Sequence, residues 1–490
     1  MPGWIWQKQC SKRTDGNMNC RFFKDKKVLI MGLGSFGGGL DAAMFAHQAG
    51  AELIITDLAP QKDLEESLAA LQKFDRITYR FGKHDPADFI RADVIIVNPA
   101  VSPDNPFLKI AAEHNRLITS QIEIFFQLCK AAIIGITGAN GKSTTTALTA
   151  HLLKAGLRQP HFRFRKVFLG GNIGNLPLLT NLEQIGENDL VVLELSSFQL
   201  EQLSRIQKAP HVALITNLTP NHLDRHGTFE QYCSVKKNIF RYQPLDESNP
   251  AVSIFNRKDP LVMQWFDEYK NNPGRVALVF NGDSIPTNLS GNFTLPGRAN
   301  LENLAAALTI ARHFGIEDAF IEQALADFEP LPHRLELIAT INGVRWYNDS
   351  IATTPVSAVV ALEAFENPKI IIAGGYDKHL PLDELGEKIA LNAKAALLIG
   401  QTAGKIETAI KAAGKKNIIV RTLDSLTAAV DSAHELAAPG DVVLLSPACA
   451  SYDMFKNFQQ RGRIFQQLVK KLEKPTPIKN TAHQTQSQNR

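Results

Sequence analysis

Short apolar runs alternate with amphipathic segments along almost the whole chain. Uninterrupted runs such as VLIM at 28–31 and VIIV at 94–97 are typical of strands that are buried on both faces. Between the runs, apolar residues recur at helical spacing, and a regular alternation of strands and helices favours parallel sheets. The pattern therefore predicts the α/β fold class.

A glycine-rich loop follows one of these runs, in the segment AAIIGITGANGKSTTT at 131–146. Gly138 and Gly141 allow a tight turn in which successive backbone N–H groups face one anion, and the next helix directs its positive end at the same point. We expect Lys142 to reach the β- and γ-phosphates of a nucleotide and Ser143 to hold Mg²⁺. The predicted ATP loop consists of Gly138, Ala139, Asn140, Gly141, Lys142, Ser143 and Thr144.

A second glycine pattern follows the first apolar run of the chain. Gly32, Gly34 and Gly37 have the spacing G-x-G-x-x-G, and Asp57 ends the next run, about 20 residues further on. Such a turn cradles any nucleotide diphosphate, and the aspartate can bind any ribose hydroxyl. A nicotinamide-dependent dehydrogenase is therefore an alternative, although the middle of the chain would then have no role.

The alternation divides the chain into three α/β blocks. We predict an N-terminal Rossmann-like domain over residues 22–120, a central P-loop ATPase-type domain with a parallel sheet over 121–330, and a C-terminal Rossmann-like domain over 331–470. A length of 490 residues exceeds one ordinary core. Residues 1–21 are expected to form a polar extension, and residues 471–490 a disordered tail without aromatic side chains.

Two further strands of the central block end in residues that suit metal chemistry. Glu194 ends the run LVVLE, where a carboxylate beside the phosphate loop is placed to bind Mg²⁺. His222 follows the run HVALITNL in a short loop with Asp224 and His226. Lys236 lies in a predicted helix, where a lysine would ordinarily be solvated.

Composition and charge narrow the classes of function. The chain has 53 basic and 49 acidic residues, a net charge of +4, without long basic runs, so we expect no nucleic-acid partner. We find neither a run of about 18 apolar residues nor the apolar core of a signal peptide, so we expect a cytoplasmic protein without a membrane partner. Its five cysteines contain no C-x-x-C pair, which favours reduced thiols.

These segments, in this order, resemble the Mur ligase family, and within it the members that add D-glutamate to UDP-N-acetylmuramoyl-L-alanine. The resemblance covers roughly residues 27–469. The motifs that carry it are TGANGKSTT, GGNIG, LELSSFQLE, NHLDRHG, LPHRLE, NDSIATTP, GGYDK and SPACASYDMFKNFQQRG. The loop spacing G-x-x-G-K-S, which is shorter than that of the general P-loop, also occurs in this family and in folylpolyglutamate synthetases.

The resemblance implies an ATP-dependent amide ligase of peptidoglycan precursor synthesis, and hence of cell-wall biogenesis, cell shape and cell division. ATP would convert the substrate carboxylate into an acyl phosphate, which the amine of glutamate attacks, and ADP and phosphate would be released. The implied partners are UDP-N-acetylmuramoyl-L-alanine and glutamate, and the protein is expected to be a monomer.

The resemblance also implies roles for individual residues. The UDP substrate would be bound by Gly32, Gly34, Ser35, Phe36, Gly37, Asp57, Asn172 and Ser196. ATP would contact the loop together with Asn303, His333, Arg334 and Asp349, and glutamate would be held by Thr353, Lys378, Ser451 and Phe458. The catalytic residues would be Lys142, Glu194, His222 and Lys236.

Two Mg²⁺ ions are implied, with ligands drawn from Ser143, Glu194, His222 and a carbamylated Lys236. Alignment on Tyr232 selects Lys236 rather than Lys237 as the modified lysine.

Three departures from the family pattern concern the amino-acid pocket. Ile351 and Tyr452 replace a lysine and a leucine of other members, and GGYDK replaces a GGDGK type of loop. An L-glutamate-adding ligase is therefore an alternative. A folylpolyglutamate synthetase-like ligase would share the ATP loop, but it would need no N-terminal Rossmann-like domain and does not account for NDSIATTP. A nucleotide-gated switch protein would need the loop alone.

Overall fold

The structure, a computed structural model, describes residues 20–34, 37–173, 177–414 and 418–473. Most of the predicted N-terminal extension and of the predicted C-terminal tail lies outside these ranges. The described residues form two compact units. The first contains the residues up to Thr294 together with Asn300–Phe328, and the second contains Leu295–Ala299 and the residues from Glu329 onward.

The first unit begins with a five-stranded parallel sheet of order β3-β2-β1-β4-β5. Its strands are β1 (Lys27–Met31), β2 (Glu52–Asp57), β3 (Ile77–Phe81), β4 (Val94–Val97) and β5 (Leu117–Thr119), and its helices are α1 (Gly38–Gln48), α2 (Glu65–Leu71), α3 (Pro86–Arg91) and α4 (Pro106–Glu113). Alternate residues of β1 are buried in two different clusters, Val28 and Ile30 in one, Leu29 and Met31 in the other. This burial on both faces explains the unbroken apolar run.

The same unit contains a six-stranded parallel sheet of order β11-β10-β9-β6-β8-β7. Its strands are β6 (Ala132–Thr137), β7 (Val167–Gly171), β8 (Leu190–Glu194), β9 (Val212–Ile215), β10 (Ala251–Asn256) and β11 (Arg275–Phe280). The helices are α5 (Gln121–Leu128), α6 (Lys142–Gly156), α7 (Ser197–Arg205), α8 (Leu223–His226), α9 (Phe229–Arg241), α10 (Pro260–Tyr269), α11 (Thr287–Gly291), α12 (Arg298–His313, whose first two residues belong to the second unit) and α13 (Asp318–Ala326). Because β6 lies between β8 and β9, the loops that leave these three strands meet at one edge of the sheet.

The second unit contains a six-stranded sheet of order β12-β13-β17-β14-β15-β16. Its strands are β12 (Glu336–Ile341), β13 (Val344–Asn348), β14 (Lys369–Ala373), β15 (Ala393–Leu398), β16 (Ile419–Thr422) and β17 (Val442–Leu445), and its helices are α14 (Pro355–Glu363), α15 (Asp383–Asn392), α16 (Ala403–Ala412), α17 (Leu426–Leu436) and α18 (Phe458–Leu472). Strands β12 and β13 pair antiparallel, and the other pairs are parallel. Asn342 (φ +50°) and Gly343 (φ +78°) supply the left-handed backbone of the tight turn between β12 and β13.

The predicted α/β class with mostly parallel sheets is confirmed. Short 3₁₀ helices occur at Cys20–Phe23, Gln61–Asp63, Leu182–Gln184 and Gly282–Ser284. Helix α18 extends to Leu472, slightly into the segment predicted as a tail. Within the described ranges, no helix is both long and apolar enough to cross a membrane.

Candidate active site

The glycine-rich loop links β6 to α6, and its backbone requires glycine at two positions. Gly138 has a φ of +146° and Gly141 a φ of +81°, conformations that side chains with a Cβ rarely adopt. A Cβ at Gly138 would lie 1.9 Å from the Thr216 Oγ1, and one at Gly141 would lie 2.3 Å from the Asn303 Oδ1. Backbone angle and space therefore both favour glycine at these positions.

Two residues after β9 hold this loop from the side. The Thr216 Oγ1 and the Asn217 Nδ2 donate to the carbonyl oxygen of Asn140 at 2.6 and 3.0 Å. The backbone N–H groups of Asn140 and Ala139 donate to Asn217, at 2.9 Å in each case. Sequence reasoning missed Thr216 and Asn217, although a polar pair directly after an apolar run beside the loop is a recognisable signal.

The first turns of α6 are tied to α12 through Asn303. The Thr145 Oγ1 donates to the Asn303 Oδ1 at 3.1 Å, and the Asn303 Nδ2 donates to the Asn300 Oδ1 at 3.1 Å. The Lys142 Nζ donates to the carbonyl oxygen of Ala139 at 2.8 Å. The structure thus brings the loop, its lysine and Asn303 together.

Glu194, at the end of β8, is a buried carboxylate with one unused oxygen. Its side chain is 2% exposed, and its Oε1 accepts a hydrogen bond from the Asn172 Nδ2 at 2.9 Å. Its Oε2 is buried without a hydrogen-bond partner. A buried carboxylate oxygen left unpaired costs free energy, and a hard divalent cation would satisfy it. Glu194 therefore fits a role as a Mg²⁺ ligand.

Lys236 lies inside the protein, contrary to the expectation that a lysine on this helix is solvated. It is 1% exposed, and its Nζ donates to the Thr137 Oγ1 at 3.1 Å and lies 4.9 Å from the centre of the Tyr232 ring. Burial, reinforced by the positive charge of Lys142, holds the pKa of the Lys236 ammonium well below its ordinary value. The neighbouring Lys237 instead pairs with Glu268.

The two histidines after β9 differ in their surroundings. His222, at the N-terminus of α8, has a left-handed backbone (φ +52°), and its ring centre lies 5.2 Å from that of Phe198. His226 is buried, and its Nε2 lies 2.9 Å from the Ser197 Oγ. Among the described residues, no three His, Cys, Asp or Glu side chains form a ready-made metal cluster. The predicted ligand set includes only two of these residue types, at Glu194 and His222.

In the first sheet, the described glycines of the turn after β1 have left-handed or related backbone conformations. Gly32, Gly34 and Gly37 all have positive φ angles. The Asp57 Oδ2 accepts a hydrogen bond from the Gly34 N–H at 3.0 Å, so this carboxylate shapes the turn itself. Asn98, which sequence reasoning missed, donates to the carbonyl oxygen of Gly32 at 3.3 Å.

The residues implied for the UDP substrate also include Ser35, Phe36 and Ser196. Ser35 and Phe36 lie outside the described residues. The Ser196 Oγ caps α7, where it accepts a hydrogen bond from the Gln199 N–H at 3.2 Å. Ser196 therefore stabilises the start of α7, and its contact with the substrate stays a prediction.

In the second unit, His333, Arg334 and Asp349 come together at the ends of β12 and β13. The Asp349 Oδ2 accepts a hydrogen bond from the Ser446 Oγ at 2.8 Å, and its Oδ1 accepts one from the Leu335 N–H at 3.2 Å. Burial raises the pKa of Asp349 to about 7. The His333 Nδ1 lies 2.9 Å from the Asn348 Nδ2.

A small cavity in the second unit contains two of the four residues implied for glutamate. Thr353 and Lys378 line it, together with Pro355, Tyr376, Asp377, Leu380, Leu382, Thr402, Ala448 and Cys449. Ser451 is buried, and the Phe458 carbonyl oxygen accepts a hydrogen bond from the Ser350 Oγ at 2.8 Å; neither residue lines the cavity. The rings of Tyr376 and Tyr452 lie 6.1 Å apart, centre to centre, so two of the three departures from the family pattern contact each other.

Arg461 connects the loop that contains Ser350 with the loop that contains Cys449. Its guanidinium is buried and donates to the Ser350 Oγ at 3.1 Å, to the Ser350 carbonyl oxygen at 2.9 Å and to the Cys449 carbonyl oxygen at 3.1 Å. Burial lowers the pKa of Arg461 to about 10. The sequence analysis did not single out this residue.

The fold and the glycine-rich loop define the class: an α/β protein with a phosphate-binding loop at the carboxyl edge of a parallel sheet. Three family models match successive parts of the chain. They are "Mur ligase MurD-like, N-terminal domain" over residues 26–120, "Mur ligase middle domain" over 136–311 and "Mur ligase, glutamate ligase domain" over 333–449. The chain belongs to the Mur ligase family, whose members are ATP-dependent ligases.

Curated relatives match nearly the whole chain. The UDP-N-acetylmuramoylalanine–D-glutamate ligase of Acetivibrio thermocellus is 38% identical over 474 residues, which cover 92% of this chain and 97% of that protein. The ligase of the same name from Roseiflexus sp. is 37% identical over 468 residues, 91% of this chain and 98% of that protein. The family resemblance seen in the motifs is confirmed.

Solved structures share the fold at lower identity. UDP-N-acetylmuramate-alanine ligase MurC from Thermotoga maritima is 20% identical with a TM-score of 0.57, covering 91% of this chain and 99% of that chain. MurF ligase from the same organism, in complex with ADP, is 17% identical with a TM-score of 0.55, covering 92% of this chain and 97% of that chain. The α/β architecture is therefore that of Mur ligases.

Asp349→Asn should flatten the pH dependence of stability in the second unit. Because the folded-state pKa of Asp349 is raised to about 7, its stabilising contribution is complete below the unfolded value of about 4 and is lost as the pH rises through about 7. Between these pH values, this residue makes the free energy of unfolding of the wild type fall by up to about 1.4 kcal/mol for each pH unit. The variant should lack this part of the decrease when unfolding is measured with denaturant. The exposed control Asp431→Asn should keep the wild-type slope; an unchanged slope in Asp349→Asn would contradict the assignment.

Proposed function

We propose that this protein joins D-glutamate to UDP-N-acetylmuramoyl-L-alanine at the expense of ATP, a step of peptidoglycan precursor synthesis. The observation that carries the proposal is a group of ionisable side chains near the edge where β6, β8 and β9 end: Lys142 on the phosphate loop, the half-satisfied Glu194 and the buried Lys236, which contacts Thr137 at the end of β6. Relatives that are 37–38% identical over more than 90% of the chain bear the name of this ligase. We expect the enzyme to act as a cytoplasmic monomer.

Each of the three predicted domains is proposed to bind a different part of the reactants. Residues 22–120 would bind the UDP part of the substrate, residues 121–330 would bind ATP and the muramoyl-alanine carboxylate, and residues 331–470 would bind glutamate. Asn303 supports the phosphate loop, and His333, Arg334 and Asp349 are proposed to serve the adenosine side. The glutamate residues are proposed to be Thr353, Lys378, Ser451 and Phe458.

The chemistry suits these groups because a carboxylate is a poor electrophile. Transfer of the terminal phosphoryl group of ATP to the alanyl carboxylate gives an acyl phosphate and ADP, and the amine of glutamate then displaces phosphate to form the amide. Phosphoryl transfer requires alignment and charge neutralisation more than covalent help from the protein. Lys142 and the N–H groups of a fixed loop supply positive charge at the phosphates.

Mg²⁺ would be held by Ser143 and Glu194 at one position and by His222 and a carbamylated Lys236 at a second. Bound Mg²⁺ offsets the repulsion between the triphosphate and the substrate carboxylate. The buried, unpaired Glu194 Oε2 is the observation that supports such a ligand. Lys236 supports the second position, because burial lowers the pKa of its ammonium and so favours the neutral amine, which can react with CO₂, releasing a proton and forming an anionic carbamate.

Lys142→Ala and Glu194→Ala should each lower ADP formation by about 100-fold or more, because each removes charge that acts on the reacting phosphate. The matched control is Lys154→Ala, an exposed lysine on the same helix as Lys142. Circular dichroism should show all three variants folded. Near-wild-type turnover of either active-site variant would refute the assignment of the phosphate site.

Lys236→Ala should also be nearly inactive, and acetate should restore part of the activity by supplying a carboxylate at the vacated position. Lys237→Ala, which alters the adjacent lysine paired with Glu268, should retain activity. A mass increase for a CO₂ adduct at residue 236 is expected in the complex with Mg²⁺ and ATP. Bare Lys236 in that complex, or full activity of Lys236→Ala, would show the carbamate assignment to be wrong.

Phosphate release should depend on UDP-N-acetylmuramoyl-L-alanine and D-glutamate together, and this assay tests the proposed function. A preference for L-glutamate would select the alternative that Ile351 and Tyr452 keep open. Lys378→Ala should raise the KM for glutamate about tenfold and leave that for ATP unchanged, because the ammonium is a point charge for one carboxylate. Lys411→Ala, on α16, is the control. Turnover without the UDP substrate would exclude this ligase.

A further inference from the structure

Asp41 lies in the first turn of α1, the helix that begins directly after the glycine turn of the first sheet. An acidic residue at the start of a helix usually faces solvent and interacts with the helix dipole. Asp41 is instead 5% exposed. Its carboxylate is therefore committed to contacts within the protein.

Five donors converge on this carboxylate. The Asp41 Oδ2 accepts hydrogen bonds from the N–H groups of Leu178 at 2.9 Å and Leu179 at 2.7 Å, and from the Gln121 Nε2 at 2.6 Å. The Asp41 Oδ1 accepts from the Thr180 N–H at 3.1 Å and from the Thr180 Oγ1 at 2.7 Å. Three successive backbone N–H groups that face one anion form a strong, directional contact.

The backbone donors come shortly after Asn172, a residue that contacts Glu194. Asn172 follows β7, donates through its side chain to the Glu194 Oε1 and donates through its N–H to the Glu194 carbonyl oxygen at 2.9 Å. Leu178–Thr180 follow Asn172 closely in sequence. Asn172 therefore contacts Glu194 and residues 178–180 contact Asp41, while residues 174–176 between them lie outside the described residues.

Apolar packing alone would hold this segment less specifically. Leu178 and Leu179 are buried in the cluster that also contains Ala42, Ala43 and Ile122. Hydrophobic attraction has no preferred direction, whereas a carboxylate that accepts five hydrogen bonds fixes the register of the backbone that donates them. The charge on Asp41 therefore determines where the segment lies relative to α1.

We propose that Asp41 is a positioning residue that sets the distance between the turn that binds UDP and the edge where the alanyl carboxylate reacts. The inference rests on the proposed function, because it treats these two places as sites for the two ends of one substrate. A substrate that must contact both sites loses binding energy when their spacing is not fixed. ATP and glutamate do not span this spacing.

Asp41→Asn tests the proposal, because it keeps the size of the side chain but turns an NH₂ group toward N–H donors. We expect the KM for UDP-N-acetylmuramoyl-L-alanine to rise about tenfold or more, with the KM values for ATP and glutamate within about twofold of the wild type. Asp88→Asn, a buried aspartate of α3 that pairs with Arg80, should leave all three KM values unchanged. Equal changes in all three, or a lower melting temperature with no change in KM, would overturn the proposal.

Thr180→Val is a milder second variant, because it removes one of the five donors and keeps the shape of the side chain. It should shift the KM for the UDP substrate in the same direction by a smaller factor. Amide hydrogen exchange at residues 178–180 should be faster in both variants than in the wild type, without any ligand. Unchanged exchange would overturn the contact, whereas a wild type that does not turn over the UDP substrate would refute the proposed function and with it the positioning role.

Discussion

The structure depends on charge balance at the edge where β6, β8 and β9 end. An unpaired carboxylate oxygen of Glu194 and the Lys236 side chain are both almost excluded from solvent there, and Lys142 lies on the adjacent loop. Burying such groups costs free energy unless a partner of opposite sign completes them. The proposed triphosphate and its divalent cations would supply both signs. The rest of the first unit holds these groups at fixed positions.

The fold was largely predictable from the sequence because strands that are buried on both faces of a sheet consist of consecutive apolar residues. Strands such as β1 and β4 have uninterrupted apolar runs, and the glycines at 138 and 141 are required by backbone angles that other residues rarely adopt. The antiparallel pair β12–β13 was not singled out. Its signal is the Asn342–Gly343 turn, whose two left-handed residues favour a tight hairpin.

Polar residues that join distant parts of the chain were not predictable in the same way. Asn217, Asp41 and Arg461 act through partners that are far away in sequence, such as Asn140, Thr180 and Ser350. A single sequence gives no information on which distant backbone groups a side chain will meet. Lys236 is an intermediate case. It shares one face of α9 with the buried Tyr232 and Phe240, four residues away on either side, so helical periodicity could have shown its burial.

The side support that Thr216 and Asn217 give to the phosphate loop affects the entropy of binding. Four hydrogen bonds within the protein fix the backbone of Ala139 and Asn140. Ordering a flexible loop costs about 1–2 kcal/mol for each residue that becomes fixed. Here that cost is met when the chain folds, so it does not weaken the binding of an anion. Even a small phosphate-like fragment should therefore bind to a loop that is already ordered.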